Sequence, residues 1–130
     1  MNLTIYNNVI NKLQKSKFRS SFKLKQKDID YINEKGMSMI KRHAVDFINQ
    51  KLAPANPEND GKQTPMKNHP VFIAMHACAC CCRTCLYKWH KIPMNKELTK
   101  DEKNYIYGLL IYWITLEYKK HLNHMSQAIE

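Results

Sequence analysis

Thr99-Lys-Asp-Glu102-Lys-Asn-Tyr-Ile106-Tyr-Gly-Leu109-Leu110-Ile-Tyr-Trp113-Ile-Thr-Leu116 is the stretch that decides the fold. Thr99 followed three positions later by Glu102 is a capping box, a signature of a helix start. Ile106, Leu109, Leu110, Trp113 and Leu116 then recur at helical spacing, which predicts a helix with one apolar face to about His121. Working outward, Ile5, Val9 and Leu13 form a helical stripe over residues 2–15. Residues 28–35 read as a helix closed by Gly36, and residues 37–52 as another with Ile40, Ala44, Phe47 and Ile48 on one face. Phe22 and Leu24 alternate with lysines, which predicts an extended arm over residues 18–27. Residues 53–68 carry Pro54, Pro57, Pro65 and the turn signal Asp60-Gly61, and read as one long loop. The reading is a mainly α, single-domain fold over residues 1–130, with a long loop and a Cys/His-rich segment. Residues 1–17 are an N-terminal helical extension and residues 122–130 a fraying tail.

With 130 residues, 44 % of them apolar, the chain can bury a core without staples. Its only glycines are Gly36, Gly61 and Gly108, which excludes a dinucleotide fingerprint and a Walker phosphate loop. No zinc-protease, nucleophile-elbow or calcium-loop pattern occurs. Asn7, Asn8 and Asn11 interrupt the place of a signal peptide, and the apolar run from Tyr105 to Leu116 is too short for a membrane span. A cytosolic protein with no membrane partner is expected. Five cysteines, all between Cys78 and Cys85, then suggest metal, catalysis or packing rather than disulfides.

Charge is uneven in a chain of net +10. Lys12, Lys15, Lys17, Arg19, Lys23, Lys25 and Lys27 follow one another without an acid, and Phe18 and Phe22 lie among them. Such a run can contact phosphates and stack on bases, and it can equally be a solvated face. Lys15, Lys17, Arg19, Lys23 and Lys25 are its candidate contacts with an anionic partner. A second window, from Gly61 to Lys96, also lacks Asp and Glu. Lys62, Gln63, His69 and Arg83 are candidate anion-binding groups there, although Lys62 and Gln63 can as well satisfy loop carbonyls.

Within that window runs His76-Ala-Cys78-Ala-Cys80-Cys81-Cys82-Arg83-Thr-Cys85-Leu-Tyr-Lys88-Trp89-His90. As a helix it places Cys78, Cys81, Cys82 and Cys85 on one face. The stripe can be core packing, since free cysteine is among the most buried residue types. It can instead hold a metal. One straight helix cannot surround an ion, so ligands beyond Cys82 and Cys85 must come from further away, and His76 and His90 are nearest, with His69 in reserve. The set His76, Cys82, Cys85 and His90 suits tetrahedral zinc first and iron second. The lack of carboxylates argues against magnesium or calcium. A third reading is a thiolate at Cys81 or Cys82 favoured by Arg83, Lys88 and the histidines.

Asn59-Asp-Gly-Lys-Gln-Thr-Pro65, His69-Pro-Val-Phe72 and Cys81-Cys-Arg-Thr-Cys85-Leu-Tyr-Lys88-Trp-His90-Lys-Ile-Pro93 together resemble a family of small bacterial and phage proteins, the domain of unknown function 4186. The resemblance runs over residues 18–114 and carries no established activity. It implies Thr in relatives at positions 78 and 80, favouring Cys81, Cys82 and Cys85 as the cysteines that matter. It also implies that Asp60, Lys62, Gln63, Thr64, His69, His76, Arg83 and His90 belong to one shared feature. By analogy alone, it makes an interaction role plausible, such as a phage inhibitor of a host-defence complex. The function expected is a small basic zinc protein that binds nucleic acid or a nucleoprotein complex. The rival expectation is a metal- or thiolate-dependent enzyme on a phosphate-containing or nucleotide substrate, with Cys82 reactive and Lys62 and Arg83 stabilising charge. A third is a metal-free interaction protein with a Cys-lined core.

Overall fold

A computed structural model describes the backbone of residues 3–129 and the side chains through residue 124. Seven α-helices and no strand form among these residues. The last, α7 (Lys100–Ile129), is the axis of the fold. Its start is reciprocally capped: Thr99 N–H donates to Glu102 Oε1 at 2.9 Å, and Glu102 N–H to Thr99 Oγ1 at 3.1 Å. Ile106, Leu109, Leu110, Trp113 and Ile114 are buried on its inner face, whereas Leu116 is half-buried. The helix continues to Ile129, beyond the end expected near His121, because no Gly or Pro follows the apolar face to stop it.

Against α7 packs α5 (Pro70–Ala77), in which every residue but Phe72 is buried. A helix apolar on all sides belongs in a core. It begins with Pro70 at its first position, behind His69 as the cap: His69 Nδ1 accepts the Val71 N–H at 3.0 Å. Helix α4 (Met37–Phe47), prolonged by a wider π turn over Ile48–Leu52, adds Ile40, Ala44, Ile48 and Leu52 to the same core. Gly36, at φ 84°, separates α4 from α3 (Gln26–Lys35) with a backbone shape that glycine adopts without strain. Helix α1 (Leu3–Gln14) is fixed to α7 through buried Tyr6, whose hydroxyl donates to the Tyr105 carbonyl at 3.1 Å.

Two sequence expectations change here. The basic run after α1 is not wholly an extended arm: it opens with a short helix, α2 (Lys17–Ser20), capped by Ser16, whose Oγ accepts the Arg19 N–H at 3.2 Å. Only the residues after it are extended, with Phe22 and Leu24 turned to the core and Lys23 and Lys25 exposed. The Cys-rich segment is not one helix either. It breaks after Ala77: Ala79 takes a left-handed φ of 56°, Ala79 N–H donates to His76 O at 3.2 Å and Cys80 N–H to Met75 O at 2.7 Å. That paired closure is a Schellman ending. A separate helix, α6 (Arg83–His90), starts six residues after Ala77 with Cys82 as its cap. The four cysteines therefore do not share one helix face.

Candidate metal centre

The break builds the site. Cys82 is extended (φ −160°, ψ 168°), so its sulfur folds back over the first turn of α6 and accepts the Cys85 N–H at 3.3 Å. Cys81 precedes it and Cys85 lies one turn into the helix. The three sulfurs lie within 4.8 Å of one another. No other group of three His, Cys, Asp or Glu side chains converges in this way among the described residues.

Arg19 reaches the triad from α2. It is 7 % exposed, and its Nη2 donates to Cys85 Sγ at 3.1 Å, while Nη1 donates to the His76 carbonyl at 2.8 Å and lies 3.6 Å from Cys81 Sγ. The Cys81 and Cys82 thiols, and then the Arg19 cation, hold Cys85 well below the usual thiol range despite burial. Cys82 is pushed up by Cys81, by Cys85 and by burial. At Cys81 the Cys82 contact pulls down, but Cys85 and burial outweigh it and the thiol is raised. Without a metal, the arrangement thus favours ionisation at Cys85 over its two neighbours, beside the Arg19 cation.

An all-sulfur donor set is soft, and the cluster could hold a metal ion. Three thiolates around a divalent ion would carry one net negative charge, which the buried guanidinium would offset.

The loop over residues 53–68 staples this segment in place. Thr64 Oγ1 donates to the Cys81 carbonyl at 2.8 Å. His76 Nε2 faces the Thr64 and Pro65 carbonyls at 3.0 and 3.1 Å, so that nitrogen bears the hydrogen. The Asp60 carboxylate accepts the Arg83 N–H at 2.9 Å, the Thr84 N–H at 3.2 Å and the Thr84 hydroxyl at 2.8 Å, capping α6 from another part of the chain. Burial tends to raise the Asp60 pKa, but hydrogen bonds from Gln63, Arg83 and Thr84 leave it lowered. The window without acids in sequence thus does meet a carboxylate in space.

Of the expected ligands, Cys82 and Cys85 come together, with Cys81 rather than with the histidines. His76 directs Nε2 to loop carbonyls, and Phe22 stacks on its ring at 5.4 Å. His90 has both ring nitrogens engaged: Nε2 with the Cys78 carbonyl at 2.8 Å and Nδ1 with the Tyr105 hydroxyl at 2.9 Å. His69 caps α5 and meets His43 at 2.8 Å. Arg83 does not face an anion site. It is 1 % exposed, and its guanidinium donates to the carbonyls of Leu52, Pro54, Pro93 and Lys96 at 2.6–3.1 Å. Gln63 binds Asp60 Oδ1 at 2.9 Å and the Gly61 N–H at 2.8 Å. Lys62, Lys15, Lys17, Lys23 and Lys25 are exposed. Cys78 and Cys80 are fully buried outside the triad.

Sequence reasoning missed the part Arg19 plays, and it left Cys81 out of the ligand set although the family resemblance favoured it. One signal was present: Arg19 is the only arginine in a run otherwise made of lysines. Its planar fork suits two adjacent sulfurs, where an ammonium would not. Most of the polar set implied as one shared feature is architecture for this corner.

No solved structure matches the chain. The family model described as Domain of unknown function (DUF4186) matches residues 7–115, which include α2, the stapling loop and the three cysteines of the triad. The chain therefore belongs to the family Domain of unknown function (DUF4186).

Proposed function

We propose that this protein is a small zinc-binding protein that carries its ion on Cys81, Cys82 and Cys85 and uses its basic surface to bind an anionic partner, nucleic acid or a nucleoprotein complex. The observation that carries the reading is the convergence of three sulfurs within 4.8 Å beside the buried Arg19. Tetrahedral zinc with bonds of about 2.3 Å needs sulfurs about 3.8 Å apart, a short contraction of this cluster. Zinc is placed before iron here because iron–sulfur clusters take four cysteines and only three converge among the described residues. The exposed lysines at positions 15, 17, 23 and 25 support the second half of the reading.

The test is elemental analysis of the full chain purified without a histidine tag. About one equivalent of zinc is expected, lost in Cys82→Ser and Cys85→Ser but kept in Cys80→Ser. Protein with no metal after purification and after zinc addition would end the reading. A second reading, a nucleophilic thiolate enzyme, draws on one observation: Cys85 is the most exposed of the three sulfur residues and takes an N–H from Arg19. It expects metal-free protein in which iodoacetamide labels Cys85 before Cys81 and Cys82.

A further inference from the structure

Between α2, the extended residues after it and the end of the stapling loop lies an open groove of about 660 Å³. Lys23, Lys25, Lys27 and Lys67 line it. Its one carboxylate, Asp28, is 3 % exposed and already accepts the Lys25 N–H at 2.8 Å as part of the α3 cap. Phe18 and Met66 add apolar surface, each more than half exposed (53 and 54 %).

A single exposed aromatic is ordinary on a soluble protein. Phe18 is unusual in its backing. Phe22 meets it edge-on at 5.1 Å and 89°, and the Arg19 guanidinium lies 5.0 Å from its ring centre. Phe22 in turn stacks on buried His76 at 5.4 Å and 15°. The ring is thus held at the surface by a ladder that ends in the core, so little freedom remains to be lost when something stacks on it. Four cations in a groove call for a polyanion, and a braced aromatic among them calls for one with flat rings.

We infer that this groove binds single-stranded nucleic acid, the lysines on its phosphates and Phe18 under a base. The inference rests on the anionic-partner half of the function proposed above and gives that partner a chemistry and a place. Helix α2 then serves both sites, turning Phe18 to the groove and Arg19 to the thiols.

The test is fluorescence anisotropy of labelled oligothymidylate with the full zinc-supplied chain over a series of salt concentrations. Binding is expected to weaken with salt. In Lys23→Gln/Lys25→Gln the log–log salt slope should fall by about 1.4, since two phosphate contacts are lost from a single strand. Phe18→Ala should weaken binding about fivefold or more at fixed salt and leave the slope unchanged. Lys100→Gln/Lys103→Gln on α7, outside the groove, removes the same charge and should leave affinity and slope as they are. Binding that ignores Phe18→Ala, or falls equally in the α7 pair, overturns the inference. Binding of a duplex oligonucleotide but not of oligothymidylate removes this inference and leaves the anionic-partner reading; binding of neither removes both. Zinc content, measured on the same samples, is expected to be unchanged in every variant.

Discussion

Arg83 fixes two loops to one helix with a single side chain. Its four Nη hydrogens reach Leu52 and Pro54 on one side and Pro93 and Lys96 on the other, and only Nε lacks a partner. A lysine has three donors on one atom and cannot span two such pairs of carbonyls. Arg83→Lys is expected to cost about 3 kcal/mol, through unsatisfied buried carbonyls, and to lower the melting temperature by about 10 °C. A loss under about 3 °C would show that the fork is replaceable. His69 gives a pH dependence of its own. Its Nδ1 accepts the Val71 N–H, so Nε2 holds the hydrogen and donates to His43 Nδ1 at 2.8 Å. Tyr31, Phe47 and Phe72 surround the ring. Burial and then the neighbouring His43 lower its pKa from 6.5 to about 4. The folded state therefore resists a proton that the unfolded state accepts. Stability is full above pH 6.5, falls as pH drops from there toward 4, and levels off below. Denaturant melts across that window should show a loss of up to about 3 kcal/mol from this group. His69→Asn, which keeps a capping acceptor without the titration, should flatten that slope; an unchanged slope in the variant would assign it elsewhere.

At the scale of elements, legibility followed the residues that carry a backbone signal. Thr99, Glu102, Gly36 and Pro70 mark helix ends by chemistry visible in one dimension, and the structure uses each of them as a terminus. The two ends that flank the site carry no such mark. Ala79 and Lys91 stand at left-handed positions, φ 56° and 60°, where glycine is the usual residue. Without glycine there, the Cys-rich run reads as one helix, and the triad cannot be foreseen from a helical wheel. Lys91 also offers a measurement. Its N–H donates to Tyr87 O at 3.0 Å and that of Ile92 to Leu86 O at 3.3 Å, an αL ending with the Lys91 side chain exposed. Lys91→Gly removes the Cβ strain and only an exposed side chain, so it should stabilise the protein by about 1 kcal/mol in a denaturant melt. Destabilisation would mean that the gain in unfolded-chain freedom outweighs the relief.

The whole molecule joins a core of three helices to a corner that carries the site. Helices α4, α5 and α7 meet through Ile40, Ala44, Val71, Ala74, Leu110 and Ile114, all fully buried, and Cys81 and Cys82 join the same apolar cluster from the corner. The three-helix part was legible because apolar periodicity reports it directly. The corner was not, because its parts are far apart in sequence: Arg19, Thr64 and Cys81 meet only in space, and a carboxylate one residue outside an acid-free window caps the helix inside it. This arrangement sets the response to metal removal. If the ion were the keystone of the fold, as in a zinc finger, chelation would unfold the chain. Here it should leave the helices and loosen the corner. Treating zinc-loaded protein with a chelator is expected to keep the far-ultraviolet circular dichroism within about a tenth of its value while lowering the melting temperature by about 10 °C or more. Amide exchange should quicken over residues 59–65 and 79–85, where Thr64 and Asp60 lean on the triad segment, and stay slow in α5 and the buried part of α7. Collapse of the helical signal would make the metal part of the core, and unchanged exchange over those two segments would show that the three sulfurs hold the corner without it.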